Sequence, residues 1–173
     1  MNGRDATHLP NVRGLQRLAN QRVYAAAAEL ADAEYRADQG AFFGSVHGTL
    51  NHLLVGDRVW MQRLTGEGEA PARLDAILFD DFVALRAARL AEDARIIAFV
   101  EGLSEQDLAR TIRYRTISRP ADIEQQLVYA LPHVFNHQTH HRGQVHCLLT
   151  NIAKDAPSLD LILYQRETGL GLA

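Results

Sequence analysis

Residues 131–149, LPHVFNHQTHHRGQVHCLL, hold five of the chain's eight histidines: His133, His137, His140, His141 and His146. Read as a helix, at about 100° per residue, the stretch sends His137 and His141 out on one side, one turn apart, as two ligands of a single ion require. Leu127, Leu131, Val134, Val145, Leu148, Leu149 and Ile152 mark the buried stripe of the same helix. His141 falls inside that stripe and His137 at its edge. His140 lies roughly 130° from the stripe's centre, and His146 is also off it. If two of these rings share a buried ion, they are His137 and His141. An imidazole on an apolar face is also a common core side chain, bonded to a carbonyl or carboxylate. What strengthens the metal reading is the cluster of further histidines and a candidate third ligand far upstream.

Outward from this stretch, the pattern predicts four long helices. The one bearing the histidines is expected from Ala121 or Asp122 to Ala153, kinked at Pro132. The first follows Pro10, from about Asn11 to Ala37, with an apolar face of Leu15, Leu18, Val23, Ala26, Ala27, Leu30 and Ala31, and Gly40 closing it. The second starts at a Ser45 N-cap and runs to Thr65, where Gly66 and Gly68 break it before Pro71. The third spans about Asp80 to Gly102, with Asp80 and Asp81 where the helix dipole favours negative charge. Between the third and the last, Glu105–Leu108 reads as a short helical start, and RTIRYRTIS alternates as a short strand or hairpin does. Pro157 and Ser158 open a final short helix, Leu159 to Glu167, ended by Gly169. Four long helices joined by connections of middling length predict an all-α four-helix bundle, in which metal sites are made by side chains facing inward from separate helices. Repeats, low-complexity runs and an interdomain linker are absent from the sequence, so residues 1–173 read as one domain.

Composition narrows the function. A net charge of −3 and a pI near 6.2 argue against a nucleic-acid partner, which calls for a basic surface. The opening MNGRDATHLP lacks the apolar core of a signal peptide, and no run approaches the ~20 apolar residues of a membrane span. One cysteine, Cys147, excludes an internal disulfide and suits a reducing compartment; it reads as a buried structural thiol. A cytoplasmic protein is expected.

The second helix offers two upstream candidates. His47 shares a stripe with Phe43, Leu50, Leu54 and Met61, and His52 one with Gly48, Val55 and Val59. The helix is apolar nearly all round, which suggests cover on both sides, so periodicity does not choose between them.

The run TLNHLLVGDRVWMQRLTG, followed by HVFNHQTHHRGQVHCLLT and PSLDLILYQRE, resembles the DinB family across nearly the whole chain, with NHQTHHRGQ its most specific part. The resemblance implies an up-down-down-up four-helix bundle, often dimeric, with one divalent ion on three histidines. Matched by position, those are His52, His137 and His141, with His47 the competitor for the second-helix place. Relatives in this family include metal-dependent hydrolases and thiol-dependent transferases. The implied partners are therefore a small-molecule substrate, a low-molecular-weight thiol among the candidates, and a second copy of the chain. Three neutral imidazoles suit zinc, nickel or ferrous iron, and three protein ligands leave a position open, as catalytic sites do. The alternative class is a non-catalytic, metal-holding stress protein or dimeric binding module.

Other polar residues take plainer readings. Asp57, five positions after His52, is turned away from that ring and reads as a surface or capping residue. Gln138 and Gln144 are candidates to orient an imidazole or substrate, or simply to bond along their helix. Arg113, Arg115 and Arg119 form a basic patch that reads as solvated loop. Trp60 and Met61 read as core or dimer interface, and His133 and His140 as neighbours at the mouth of the site.

Overall fold

The longest helix of the structure is the one that carries the histidine-rich stretch, and two of the other three long helices pack on it. This computed structural model describes residues 8–152 and 155–170, with side chains from Gly14 onward. The MNGRDAT segment read for a signal peptide, and the expected helix end at Ala153, lie outside the described residues. In chain order the elements are α1 (His8–Ala28), α2 (Asp32–Arg36), α3 (Val46–Thr65), α4 (Phe82–Glu101), α5 (Glu105–Ala109), β1 (Thr111–Arg115), β2 (Asp122–Gln126), α6 (Leu127–Asn151) and α7 (Leu161–Thr168). The chain is thus mostly helical with one small antiparallel sheet. α1 and α3 each pack against both α4 and α6. No described helix is long and apolar enough to cross a membrane.

The helix ends follow local chemistry. Ser45 is the N-cap of α3, its Oγ accepting from the Gly48 N–H at 3.0 Å, an arrangement that contributes about 1 kcal/mol. Gly66 closes the same helix in the left-handed conformation, φ 78°, with its N–H on the Gln62 carbonyl. Asp81 caps α4 through the Ala84 N–H at 2.7 Å. Gly169 closes α7 at φ 68°.

Two helix boundaries are corrected. The helix predicted from Asn11 to Ala37 is two: α1 ends at Ala28, Ala31 is extended, and α2 starts afresh with the Glu34 carboxylate accepting from the Ala31 N–H. The break lets Tyr35 turn under the core, edge-on to Phe82 and against His47, so burial of one aromatic side chain outweighs helical propensity. The last long helix starts at Leu127 rather than Ala121 or Asp122, because residues 122–126 pair with β1 in the register Thr111↔Gln126 to Arg115↔Asp122. Arg113–Glu124 and Arg115–Asp122 face each other across that hairpin, so two of the three arginines read as a loop patch are paired, while Arg119 is exposed. α6 runs through Pro132 as one element, with the proline at an exposed position.

The interior is two apolar layers separated by a polar belt. One layer joins Val23, Tyr24, Leu50, Leu53, Leu85, Val145 and Leu149; the other joins Met61, Leu64, Ile96, Val100, Leu127, Leu131 and Val134. Each fully buried leucine contributes about 2 kcal/mol. Between them Arg89 bridges Asp57 at 2.5 Å and Asp93 at 2.9 Å. Asn20 donates to Asp93 at 2.8 Å, Gln138 donates to Asp57, and Arg142 donates to the Gln138 and Asn20 side-chain oxygens. Asp57, expected at the surface, is completely buried. The turn that aims it away from His52 aims it at α4 and α6, which cover that side. Cys147, expected to be buried, is exposed on the outer face of α6, between the buried Val145 and Leu148.

Removing the arginine of the belt strands two buried carboxylates. Arg89→Met is therefore expected to lower the unfolding free energy by about 3–5 kcal/mol in chemical denaturation, and adding Asp57→Leu to recover part of it. A loss below about 1 kcal/mol for Arg89→Met would show that the carboxylates find other partners.

Candidate metal centre

Asn51 prepares the site before any histidine enters it. Its side-chain oxygen accepts from the Leu78 and Phe79 N–H groups at 2.9 and 3.0 Å, and its amide nitrogen donates to the Phe79 carbonyl at 3.1 Å. This ties the connection between α3 and α4 down onto α3. The same connection lays the Leu74 carbonyl against the next residue, His52, whose Nδ1 lies 2.7 Å from it. A carbonyl only accepts, so His52 Nδ1 carries the hydrogen and Nε2 is left with a bare lone pair.

That lone pair points at two more rings. His52 Nε2 lies 3.2 Å from His137 Nε2 and 3.1 Å from His141 Nε2, and all three ligand nitrogens fall within 4.8 Å of one another. His141 is fixed as His52 is: its Nδ1 donates to the Gln144 side-chain oxygen at 2.7 Å, one turn along α6. Phe43 stacks on the His52 ring, centroids 3.7 Å apart at 16°, and meets His141 edge-on. Gly56, one turn beyond His52, makes room for His137: a Cβ there would stand 2.5 Å from the His137 Cε1.

Burial keeps all three rings neutral. It pushes His52 down to about 4, against a smaller upward pull from the Leu74 carbonyl, and His137 down to about 3, helped by His141 and His52. His141 is lowered by burial too, opposed by its bond to Gln144. Two neutral imidazoles with their hydrogens on Nδ1 cannot bond to each other through Nε2. The short contact between His52 and His141 is then lone pair against lone pair, an arrangement compatible with a cation between them. Nitrogens at about 2.0–2.1 Å from a tetrahedral ion stand about 3.3 Å from one another, so the spacing fits.

The remaining candidates separate cleanly. His47 is apart from the cluster, its Nε2 3.3 Å from the Phe79 carbonyl and its ring against Tyr35. His140 is exposed and edge-on to His141, and His133 rests on Trp60, which is half-buried, while Met61 is core. Of the two glutamines, Gln144 orients an imidazole and Gln138 belongs to the polar belt. Sequence reasoning missed Phe43, Asn51, Gly56 and the Leu74 carbonyl. Only Gly56 carried a signal, a glycine inside a helix one turn from a candidate ligand.

Comparison with known proteins agrees with this architecture. The DinB family profile matches residues 15–170. Protein DinB of Bacillus subtilis (strain 168) is 23% identical over 154 residues, covering 84% of this chain and 87% of that one. The crystal structure of a DinB-like protein from Bacillus cereus ATCC 10987 superposes with a TM-score of 0.61 at 17% identity, over 84% of this chain and 94% of that one; at this identity the likeness speaks for the fold alone.

The neutral rings set a pH dependence in the metal-free protein. His52 and His137 bind protons less readily folded, at about 4 and about 3, than unfolded, at 6.5. Between those values the unfolded state holds more protons, so stability is full above about pH 6.5 and falls as pH drops toward 4. Denaturation midpoints measured across that range are expected to fall steeply in the chelator-treated protein and less steeply in a His52→Gln/His137→Gln variant. Equal slopes would contradict the assignment.

Proposed function

This chain belongs to the DinB family, and on that premise we propose that it is a metal-dependent enzyme acting on a small molecule, with His52, His137 and His141 as the protein ligands of one divalent ion. The observation that carries the reading is the meeting of imidazole lone pairs whose protons are held elsewhere, by Leu74 and Gln144. The donor set is all nitrogen, which suits zinc or nickel, with ferrous iron next. Three protein ligands leave a coordination position for a reactant, which separates a catalytic from a closed structural site. When bound, such an ion supplies Lewis acidity toward a water, carbonyl or thiol at that position. Hydrolysis and thiol-dependent group transfer are the reaction classes this favours.

The chain's own residues do the rest. The Leu74 and Gln144 oxygens hold two rings in the ligating tautomer, and such outer partners also raise ligand basicity. Phe43 lies flat on His52 and keeps water from that side. The frame we propose is the up-down-down-up four-helix bundle, acting as a homodimer. Supporting the bundle's connectivity, Gln16 reaches Phe135 and Asn20 reaches Arg142, a parallel run of α1 with α6. His52 meets His141 where Asp57 meets Gln138, an antiparallel run of α3 with α6.

Elemental analysis of the purified protein tests the reading. About one divalent ion per chain is expected, falling sharply in His52→Ala and His141→Ala. Gly56→Ala should lower metal content by displacing His137 while leaving the metal-free protein as stable as before or up to about 1 kcal/mol more so, since alanine is the better helix former. Unchanged occupancy in the His141→Ala protein would refute the ligand set.

A further inference from the structure

A row of rings leaves the metal centre along the seam between α3 and α6. His137 lies 5.8 Å from His133, His133 4.8 Å from Trp60, and Trp60 5.3 Å from Tyr114 of the hairpin, all between ring centroids. Helical spacing builds the row: His52, Gly56, Trp60 and Arg63 follow one face of α3, while His141, His137 and His133 follow the opposing face of α6. His133 is exposed, and His137, Trp60, Arg63 and Tyr114 are all partly open to solvent.

Arg63 ends the row, and it differs from the arginines that are held by carboxylates. Its guanidinium carbon lies 4.8 Å from the Trp60 ring and 4.6 Å from the Tyr114 ring, held between the two. Arg36, Arg89, Arg95, Arg113 and Arg115 each have a carboxylate partner. Among the described residues none pairs with Arg63, whose one hydrogen bond runs from Nη2 to the Arg115 carbonyl at 3.0 Å. That bond braces the hairpin and uses one of five N–H donors. Burial works against the charge, so an anion brought to it would be gained at a cation whose desolvation is already partly met. From Gly56, beside His137, to Arg63 is seven residues, about 10 Å of helix.

We propose that Arg63 is the anion-recognition residue of an extended small-molecule ligand, whose apolar middle lies along His133 and Trp60 and whose other end reaches the three-histidine centre. The chemistry recognised is a terminal carboxylate or phosphate monoester on an unbranched chain. Only the placement of the ligand's far end rests on the metal reading; the anion contact stands on Arg63, Trp60 and Tyr114.

Trp60 is the chain's one tryptophan, so its fluorescence reports this strip directly. Octanoate, octyl phosphate and the neutral octanamide would be titrated into metal-loaded and chelator-treated protein, alongside mercaptooctanoate, whose thiol adds a soft metal ligand. At least one anion is expected to bind about tenfold or more tighter than octanamide, the scale of one charge-assisted hydrogen bond, and which anion does so distinguishes the two sources. Arg63→Met should abolish that preference while metal content and octanamide binding are unchanged, and Arg63→Lys should restore part of it. Equal binding of octanoate, octyl phosphate and octanamide, or a preference that survives Arg63→Met, would overturn the proposal whatever happens at the metal. If the anion preference holds but mercaptooctanoate gains nothing from metal loading, the open metal position fails and the Arg63 contact stands.

Discussion

One hydrogen bond decides what the centre of this protein can do. By donating from Nδ1 to the Leu74 carbonyl, His52 gives up any choice of tautomer and turns a bare nitrogen toward His137 and His141. Without that acceptor the ring could protonate at Nε2 and bond to a neighbour, and the cluster would be an ordinary buried histidine group. The carbonyl is delivered by a connection with no regular structure, and that connection is held in place by Asn51, the residue beside His52. A single dipeptide, Asn51-His52, thus supplies both a proposed ligand and the anchor of the loop that orients it.

The polar belt at the same level of the fold explains how the rings are kept in register. Arg89 reaches Asp57 and Asp93 from α4, Asn20 enters from α1, and Gln138 and Arg142 enter from α6. Each of these α6 residues directly follows one of its proposed ligands, His137 and His141. Burying so many charged groups costs solvation, and an apolar layer would hold the helices together as well. What the belt adds is position: a slide of α3 against α6 would separate Asp57 from Gln138 in the same movement that separates His52 from His141. Stability comes from the two apolar layers, whereas the alignment of the site comes from the belt between them.

How much of this is legible in the sequence depends on how local its cause is. The ends of α3 and α4 are readable because Ser45, Gly66 and Asp81 cap their own helices. The break after Ala28 is not, because it serves the burial of Tyr35 against residues far along the chain. Nor is the strand before α6, whose partner lies across the hairpin. At the site, His137 and His141 are readable from their spacing. His52 is separated from His47 only by the family resemblance and then by geometry, since α3 is covered on every side and its periodicity is mute. The burial of Asp57 is not legible, because its partner Arg89 stands 32 residues away on another helix, and the Leu74 contact is made by backbone, which leaves no trace in residue type.

Three imidazole Nε2 atoms are proposed to share one ion, and X-ray absorption spectroscopy of the purified protein at its metal's edge reads that most directly. The expected result is three imidazole nitrogens at about 2.0–2.1 Å plus at least one further light-atom ligand, with one imidazole lost in His52→Ala. A spectrum fitted by oxygen ligands alone, or one that His52→Ala leaves unchanged, would contradict it.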